Sequence, residues 1–548
     1  MNGLRRRALL FFLITSLLSG CVPGAELAGK ASRTQQAAVE PPPTMLPPTP
    51  SATTIVTLQP TTARPTLAPS ASPSPQPLPS PQPPATPTST PTSTPLPVLS
   101  LSVPDEWEVR AQQALAELNR SAVTHTWHLE ESDEADVRLV RDPSGILVSE
   151  TSLALAVPFT TDRESVTYDQ AVEIVEQSDE LVSVIPWPEM KPGQKALRIE
   201  GLGPADEGYP LKETWSLAAD GEAMGDVNDL AELLRERSQD EVIHLAAVGD
   251  IMLDRSLGYN LARGDLAYPF RDVSDRLQGA DITVGNMESA LGELGEPQPK
   301  RYPFRAPPQA AQSLALAGFD IVSLANNHGM DYGPDALLQA LDLLQEQGVM
   351  PVGAGANSAA AREPAIVEIN GLTAAVFGYV NVPVEASTGF DTASWRATAD
   401  QPGIAWGDPQ TIAADVRAVR DEVDLVVVLL HSGFEYQGQP SEPQIEAAHA
   451  AVDAGADLVV GHHAHILQGV ERYKEGVIIY GTGNFAFDID GPAETAIFHV
   501  WLDEDGVREI AVEPAFVQFG GQPRLAAHWE APAILSRLYY LSDQLAGD

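Results

Sequence analysis

Histidine, carboxylate and amide side chains follow the ends of several apolar segments in the second half of this 548-residue chain. They are Asp250, Glu288, Asn327, His328, His431, His462, His463 and His465. Imidazole, carboxylate and amide oxygen ligands together suit borderline divalent ions such as Mn, Zn or Fe better than they suit calcium. This donor set therefore predicts a metal centre, and activation of a bound water is the chemistry that such a centre supports.

Each of these residues has an ordinary structural explanation when it is taken alone. A histidine after an apolar strand is more often packed or solvated than bound to a metal, and an aspartate after glycine is usually a turn or cap residue. Their number favours a site, because five of the 11 histidines lie at predicted strand ends of one domain. The spacing of His463 and His465 also places both rings on one side of the chain if that stretch is extended.

Apolar strands alternate with helices from Val242 onwards, which predicts an α/β domain whose helices cover the sheet. Strands are predicted at 242–248, 281–284, 320–324, 373–379, 425–430, 457–460 and 477–480. Helices are predicted at 308–317, 334–347, 409–421 and 442–454. Three of these four helices begin with proline, which suits the first helical position, and Asp408 is a suitable cap for the third. The candidate ligands follow strand ends, where the active sites of such folds form.

The amino terminus has the pattern of an export signal. Three arginines at 5–7 precede the apolar run 8–18, which is too short for an ordinary membrane span. The run leads into Leu-Ser-Gly-Cys, which resembles a bacterial lipobox, and Cys21 is the only cysteine in the chain. Residues 1–21 are therefore predicted to be a lipoprotein signal peptide. Lipidated Cys21 would anchor the protein on the outer side of the cell membrane, and a plain secretory signal is the alternative.

A proline-rich segment follows the predicted signal peptide. Residues 41–100 hold 20 of the 47 prolines and one charged residue, Arg64. Such a composition favours an extended polyproline-like chain and gives it no means of forming a core. Residues 22–100 are therefore predicted to be a disordered Pro/Ser/Thr-rich tether.

The charge of the chain narrows the classes of partner. Lys and Arg number 33 against 75 Asp and Glu, which gives a formal net charge of −42. A surface of that sign repels phosphates at long range, so the composition argues against a nucleic-acid partner. Cation binding remains compatible with it.

Residues 101–240 are predicted to form a small α/β domain, with helices at 108–119 and 168–177 and short strands around them. The segments SLALAVPF, TYDQAVEIV and YPLKETWSLA loosely resemble one lobe of a periplasmic binding protein. One hypothesis is that this domain binds a ligand and regulates the domain after it. A structural or spacer role is the other interpretation.

Six ordered motifs across about 243–520 resemble the capsule-synthesis family CapA. They are AAVGDIMLDRSLG, GNMESAL, SLANNHGMDYG, LLHSGFEY, VVGHHAHILQGVE and YGTGNFAFD. That family is associated with bacterial poly-γ-glutamate capsule production, and its domain is similar to the calcineurin-like metallophosphoesterases. The resemblance implies a four-layer α/β/β/α sandwich over 241–525, with a two-metal centre between the sheets. Residues 526–548 are predicted to be a C-terminal helical tail.

The resemblance also implies a metal-binding role for each matching residue. The implied ligands are Asp250, Glu288, Asn327, His431, His463 and His465. Asp250 would bind the first metal, Glu288 would bridge both, and Asn327 and His431 would bind the second. The two histidines of the His-x-His motif would contribute one ligand to each metal. A bridging carboxylate suits such a centre because it offsets the repulsion between two cations.

His328 is the implied catalytic residue, since it matches the histidine that hydrogen-bonds or protonates the leaving oxygen. Residues expected to support the metals or line the pocket are Asn286, Asp331, Glu435, Tyr436, His462 and Asn484. Glu435 and Tyr436 are expected to order His431. Three positions depart from the usual patterns, and one of them is Glu288, which replaces the more usual aspartate and has a longer reach. Met252 stands where metallophosphoesterases carry a histidine, which leaves the first metal one ligand short, and Ser432 stands where the family commonly has tryptophan.

Two interpretations of function follow. The first is a membrane-anchored, extracytoplasmic metal-dependent hydrolase, similar to phosphoesterases, that cleaves a phosphoester or acyl/amide bond in a cell-surface polymer or its precursor. The second is a non-enzymatic assembly or export factor for an anionic polymer such as poly-γ-glutamate, with a vestigial metal site. Other capsule-synthesis proteins are expected partners in both cases.

Overall fold

The structure, a computed structural model, describes residues 96–122, 124–132, 134–142, 144–219, 227–235, 241–385, 389–488 and 493–545. The predicted signal peptide, Cys21 and nearly all of the predicted tether lie outside the described residues. Within the part of the chain that is described, no helix has the length and apolar character needed to cross a membrane.

The first part of the described chain forms a seven-stranded sheet covered by helices. Its strands are β1 (Val98–Ser102), β2 (Thr126–Leu129), β3 (Val137–Val140), β4 (Ile146–Pro158), β5 (Ser165–Val166), β6 (Ser183–Pro186), β7 (Gln194–Ala196), β8 (Arg198–Ile199) and β9 (Lys212–Ala219). Its helices are α1 (Glu108–Ser121), α2 (Tyr168–Gln177) and α3 (Val227–Leu234). The strand order is β2-β1-β3-β9-β4-β6, with β7 also paired to β4 and β5 paired only to β8. We refer to this part as the N-terminal sheet unit.

The second part contains eighteen strands and eight helices among the described residues. The strands are β10 (Ile243–Met252), β11 (Ile282–Met287), β12 (Ala290–Leu291), β13 (Arg305–Ala306), β14 (Ile321–Ser323), β15 (Met350–Val352), β16 (Ala354–Gly355), β17 (Ala365–Ile369), β18 (Leu372–Asn381), β19 (Gly403–Ile404), β20 (Leu425–Ser432), β21 (Leu458–His462), β22 (Val470–Tyr473), β23 (Gly476–Ile479), β24 (Asn484–Phe487), β25 (Glu494–Asp503), β26 (Gly506–Val517) and β27 (Pro523–Leu525). The helices are α4 (Arg255–Ala262), α5 (Ser274–Leu277), α6 (Gln309–Ala317), α7 (Gly333–Glu346), α8 (Ser358–Ala361), α9 (Pro409–Val419), α10 (Glu442–Asp453) and α11 (Ala531–Asp543).

Two sheets organise this second part. One has the order β15-β14-β11-β10-β25-β26-β27, with β24 also beside β10, and the other has the order β17-β18-β20-β21-β23-β22. An apolar cluster with residues from both sheets, such as Val284 and Val427, lies between them. Helices α4, α6 and α7 share a second cluster with the first sheet, and α9 and α10 share a third with the other sheet. The arrangement is a mixed α/β fold.

Every strand and helix predicted in the second part is present, with ends that differ by at most four residues. Local signals account for this agreement. The Asp408 side chain accepts a hydrogen bond from the Thr411 backbone N–H, as a helix cap should. In the N-terminal sheet unit, α2 coincides with the predicted helix because Thr167 and Gln170 form a capping box at its start.

The last strand predicted from the sequence ends at residue 480, but four further strands follow it among the described residues. Strands β25 and β26 form a long antiparallel hairpin there, and β25 continues the first sheet by pairing with β10. A signal for the hairpin is present in the sequence, since two apolar stretches flank Asp503-Glu504-Asp505-Gly506. Gly506 has a φ of +107°, which suits the turn between the strands.

The N-terminal sheet unit packs against the second part where β10 begins. Val242 lies in one apolar cluster with Trp187, and the Trp187 indole N–H donates to Glu509 Oε2 over 2.7 Å. The Lys195 ammonium donates to the Tyr539 hydroxyl on α11 over 2.8 Å. These contacts lie at the opposite end of β10 from Asp250.

Candidate metal centre

The carboxyl ends of β10, β11, β14, β20 and β21 bring the candidate ligands together between the two sheets. A register shift between Ala247 and Asp250 marks a bulge near the end of β10, and bulges often re-aim side chains beside active sites. The bulge depends on Gly249, because a Cβ there would lie 1.9 Å from the Gly483 carbonyl oxygen. Asp250 then stands in register with Asn286 on β11 and Asn484 on β24.

Five of the six implied ligands form two overlapping groups. Glu288, His431 and His463 make one group, and Asp250, Glu288 and His465 make the other. In each group the ligand atoms all lie within 4.8 Å of one another. Glu288 belongs to both, and all five residues are buried. The arrangement therefore has the form of two adjacent cation positions that share one carboxylate.

Distances within the groups centre on Glu288 Oε1. His431 Nε2 lies 3.7 Å from that oxygen, and His465 Nε2 lies 3.9 Å from it. His465 Nδ1 is 3.0 Å from Asp250 Oδ2. The sixth implied ligand, Asn327, joins the first group, since its Oδ1 lies 2.7 Å from His431 Nε2.

The His-x-His segment is not extended, contrary to the condition considered in the sequence analysis. His463 and His465 both have left-handed backbone, with φ values of +84° and +56°. The segment turns sharply as it leaves β21, so the two rings separate instead of lying on one face, with centroids 6.0 Å apart. The local backbone thus assigns one histidine to each group of ligands.

The donor atoms fit a borderline divalent cation. Glu288 Oε1 and His463 Nδ1 are buried and have no hydrogen-bond partner among the described residues. A buried polar atom without a partner is costly, and a coordinated cation would satisfy both atoms. Imidazole nitrogens with carboxylate and amide oxygens are the set that Zn, Mn or Fe accepts.

The surroundings of Glu288 and Asp250 favour different protonation states of these two carboxyl groups. Burial raises the pKa of Glu288 well above its usual value, and the neighbouring charge of Asp250 raises it further. Burial also opposes ionisation of Asp250, but contact with His465 outweighs it and holds the pKa of Asp250 below its usual value. A cation beside Glu288 would favour the ionised form of this carboxyl group.

The surroundings of His431 and His463, which belong to the same group of ligands, favour the neutral form of both rings. Burial, assisted by His463, lowers the pKa of His431 well below its usual value. Burial, assisted by His465, lowers the pKa of His463 to about 3. Neutral imidazole has the lone pair that a metal requires. Burial also acts to lower the pKa of His465, but Asp250 outweighs it and raises that pKa.

Asn286 is placed to orient several ligands at once. Its amide Nδ2 donates to Asp250 Oδ1 over 2.8 Å and lies 3.1 Å from His431 Nδ1. Its Oδ1 accepts a hydrogen bond from Asn326, which the sequence analysis did not identify. Asn326 is fully buried and fixes the turn after β14, because its Oδ1 also accepts from the His328 backbone N–H.

The other expected supporting residues lie around the same centre. The Tyr436 ring lies 5.8 Å from the His465 ring, and the charge of Glu435 contributes to the raised pKa of Glu288. His462 Nε2 lies 3.1 Å from the Val248 carbonyl oxygen on β10, so this buried ring links the two sheets. Asn484 is buried at the start of β24 in register with Asp250.

His328 lies at the edge of the centre and is held by Asp331. His328 Nδ1 is 2.6 Å from Asp331 Oδ2, and the Phe304 ring packs on the imidazole with centroids 4.4 Å apart. Two further residues that the sequence analysis missed complete this edge. The side chains of Lys300 and Glu385 are both buried and form an ion pair of 2.5 Å. Both lie in loops, and no periodic pattern marks either of them.

Met252 contributes an apolar side chain to the centre. It is fully buried in a small cluster with Phe304 and Phe487, and the Phe487 ring lies 5.2 Å from the His465 ring. Met252 is two residues from Asp250 on β10. The expected histidine position is therefore filled by packing, as a thioether is a poor ligand for a borderline ion.

Comparisons with known proteins converge on one family. The profile described as "Bacterial capsule synthesis protein PGA_cap" matches residues 244–489, which include every residue of the two ligand groups. Over 292 residues the chain is 32% identical to "Capsule biosynthesis protein CapA" of Bacillus anthracis, covering 52% of this chain and 69% of that protein. The chain belongs to the PGA_cap family.

A second PGA_cap relative agrees with this assignment. Over 280 residues the chain is 30% identical to "PGA biosynthesis protein CapA" of Bacillus subtilis, covering 50% of this chain and 72% of that protein. Among solved structures, a hypothetical protein from Thermus thermophilus matches 50% of this chain and 98% of its own, with 14% identity and a TM-score of 0.32. The family assignment rests on the two sequence relatives.

Proposed function

We propose that this PGA_cap protein is a two-metal hydrolase that cleaves a phosphoester or acyl/amide bond in an anionic cell-surface polymer or its precursor. The observation that supports it is that Glu288 belongs to both groups of buried ligands. Two cations held close together need a shared carboxylate between them. Attachment to the outer side of the cell membrane through lipidated Cys21, and action beside other capsule-synthesis proteins, are parts of the same proposal.

The proposal includes an architecture. The two sheets of the second part and the helices outside them are taken as a four-layer α/β/β/α sandwich of metallophosphoesterase type over residues 241–525. Residues 101–240 are taken as a small accessory α/β domain and residues 22–100 as a tether. The shared apolar cluster between the sheets supports the sandwich.

In this mechanism, one metal would be held by Asp250, Glu288 and His465, and the other would be held by Glu288, Asn327, His431 and His463. The bound metals would supply a nucleophilic water and neutralise charge on the group under attack. Asp331 orients His328 through Nδ1. A carboxylate only accepts hydrogen bonds, so the proton of this pair sits on Nδ1. The Nε2 atom is then the one left for the leaving oxygen, and it would donate a proton to that oxygen only from a ring that carries a second proton on Nε2.

Metal content of the full chain, purified in detergent, tests this proposal. Elemental mass spectrometry is expected to find two equivalents of a transition metal in the parent protein. A His463→Ala, His465→Ala double variant removes one ligand from each group and is expected to lose both equivalents. His449→Ala is the control, because His449 pairs with Glu471 and stacks on Tyr473 outside the centre. A parent protein without metal after loading with Mn and Zn would contradict the proposal.

A second candidate function is an assembly or export factor for an anionic polymer, with a vestigial metal site. Met252 favours it, since a buried apolar cluster occupies a position where a further ligand would be expected. Polymer output of cells that carry Glu288→Ala separates the two. If the protein acts as a hydrolase that polymer production requires, loss of the bridging carboxylate is expected to lower polymer output. If the protein is a non-enzymatic factor, polymer output is expected to stay unchanged.

A further inference from the structure

The side chain of Lys300 is fully buried beside the candidate metal centre. It has no exposed area, and its ammonium group contacts three oxygen atoms and also His328 Nδ1, which lies 3.3 Å away. The ammonium group lies 2.7 Å from Asp331 Oδ1 and 2.5 Å from Glu385 Oε1, and it donates to the Asn327 carbonyl oxygen. An ammonium group has three donors, and the two carboxylate oxygens and the carbonyl oxygen are its shortest contacts. A buried lysine is rare and requires compensation of its charge.

The two carboxylates paired with Lys300 each hold one residue of the proposed site. Asp331 Oδ2 lies 2.6 Å from His328 Nδ1 and also accepts the Phe304 backbone N–H over 2.7 Å. Both contacts fix the position of the carboxylate that orients His328. Asp331 therefore contacts His328 through Oδ2 and Lys300 through Oδ1, so that one carboxylate connects the two residues.

Glu385 acts on Asn327 in the same way. Its Oε1 accepts a hydrogen bond from Asn327 Nδ2 over 3.2 Å. Because Nδ2 is engaged there, the amide oxygen must face the other direction, where it lies 2.7 Å from His431 Nε2. An amide that turned over would present N–H groups to a cation instead of an oxygen. Lys300 also holds the backbone of this residue through its carbonyl oxygen.

We propose that Lys300 is a positioning residue that divides the buried carboxylates of the site into two functional pairs. Asp331 and Glu385 share the single positive charge of Lys300 and orient His328 and Asn327, while Asp250 and Glu288 remain available to cations. This rests on the proposed function, and it adds a residue that the metal-binding motifs do not contain. Lys300 does not act as a substrate subsite, because its side chain has no exposed area.

Removal of the Lys300 side chain is expected to affect metal binding by the two groups of ligands unequally. Asn327 belongs to the ligand group of Glu288, His431 and His463, while the group of Asp250, Glu288 and His465 has no residue bound to Lys300 in the described contacts. Lys300→Met should therefore weaken one of two metal-binding events. Loss of an outer partner of a metal ligand typically lowers affinity by about 10- to 100-fold.

Stepwise calorimetric titration of metal-free full chain with Mn or Zn measures the two events separately. The control is Lys195→Met, which removes another buried lysine, paired with Glu164 and Tyr539 far from the centre. We expect Lys300→Met to weaken one event and Lys195→Met to change neither. Equal weakening of both events, or no change in either, would overturn the proposal. If Lys300→Met does not fold, Glu385→Gln, which keeps the side-chain size, is expected to weaken the same single event.

A proton signal provides a readout that does not need metal. The His328 Nδ1 proton faces a buried carboxylate over 2.6 Å, so we expect a slowly exchanging, far-downfield imidazole resonance in metal-free parent protein. It should disappear in Lys300→Met and persist in Lys195→Met. Persistence in Lys300→Met would refute the positioning role. A parent protein that binds no metal but shows this pattern would refute the proposed hydrolase and leave the role of Lys300 in orienting His328 standing.

Discussion

His463 and His465 are separated by one residue, yet they face different groups of ligands. His463 joins Glu288 and His431, and His465 joins Glu288 and Asp250. In a regular strand, residues two apart project from the same face. Left-handed backbone at both positions breaks this rule, with φ values of +84° and +56°. A single turn after β21 therefore supplies one histidine to each of the two groups of candidate ligands, at a backbone cost of roughly 1–3 kcal/mol for each such residue.

Single substitutions at these two histidines should divide the metal content. We expect His463→Ala and His465→Ala each to reduce two equivalents of bound metal to about one, because each removes a ligand from one group only. Elemental mass spectrometry of the purified full-length variants measures this. Loss of both equivalents in either single variant would show that the two positions fill cooperatively and would contradict independent groups.

Leucine in place of Met252 should leave metal content unchanged. Met252 is fully buried against Phe304 and Phe487, and leucine has nearly the same volume, so the cost in stability is below about 1.5 kcal/mol. Metal analysis and thermal unfolding of Met252→Leu check both statements. A clear fall in bound metal would mean that the thioether coordinates a cation.

Acid should destabilise the metal-free protein partly through His244. Burial, assisted by His499, lowers the pKa of His244 to about 4 in the folded state, against about 6.5 in the unfolded chain. Between these values the unfolded chain takes up a proton that the folded state excludes. The stability contributed is present above pH 6.5 and is lost towards pH 4, at no more than about 1.4 kcal/mol per pH unit.

Denaturant unfolding of parent and His244→Gln between pH 4 and pH 7 measures this contribution. We expect the glutamine variant to lose less stability over that interval than the parent does. Its absolute stability at pH 7 is expected to fall, since His244 stacks on Trp501 with centroids 4.8 Å apart. Parallel pH profiles for the two proteins would contradict the assignment to His244.

Removal of Glu509 should destabilise the contact between the N-terminal sheet unit and the second part. Glu509 accepts hydrogen bonds from the Trp187 indole over 2.7 Å and the Ala196 backbone N–H over 3.2 Å. Glu509→Ala leaves both donors unpaired, which costs roughly 2–4 kcal/mol. Denaturant unfolding measures this cost, and Glu504→Ala at an exposed turn is the control. An effect no larger than that of the control would show that water satisfies the two donors.

Local signals explain how much of the fold could be predicted. Proline at helix starts and the Asp408 cap place helices α6, α7 and α9 within two residues of their predicted bounds. Apolar runs place the parallel strands, since these are buried on both faces. The hairpin of β25 and β26 was missed although its Asp-Gly turn is visible in the sequence.

Some residues of the candidate site could be predicted from the sequence, and others could not. Asp250, Glu288 and the histidines could be identified because they follow strand ends in motifs that resemble a known family. Lys300 and Glu385 could not, because they lie in separate loops and meet only through the tertiary fold. The left-handed φ at His463 was also beyond prediction, since propensity disfavours it and packing imposes it.

Strand β10 connects two regions of different character. At its start, His244 stacks on Trp501 beside the N-terminal sheet unit, and near its end Asp250 faces His465. Six residue steps along a strand span about 20 Å. A small molecule at the metal centre is therefore too short to reach the N-terminal sheet unit at His244. Only an extended chain of several linked units could touch both places at once, so the strand sets a minimum length for any ligand that the two parts of the protein recognise together.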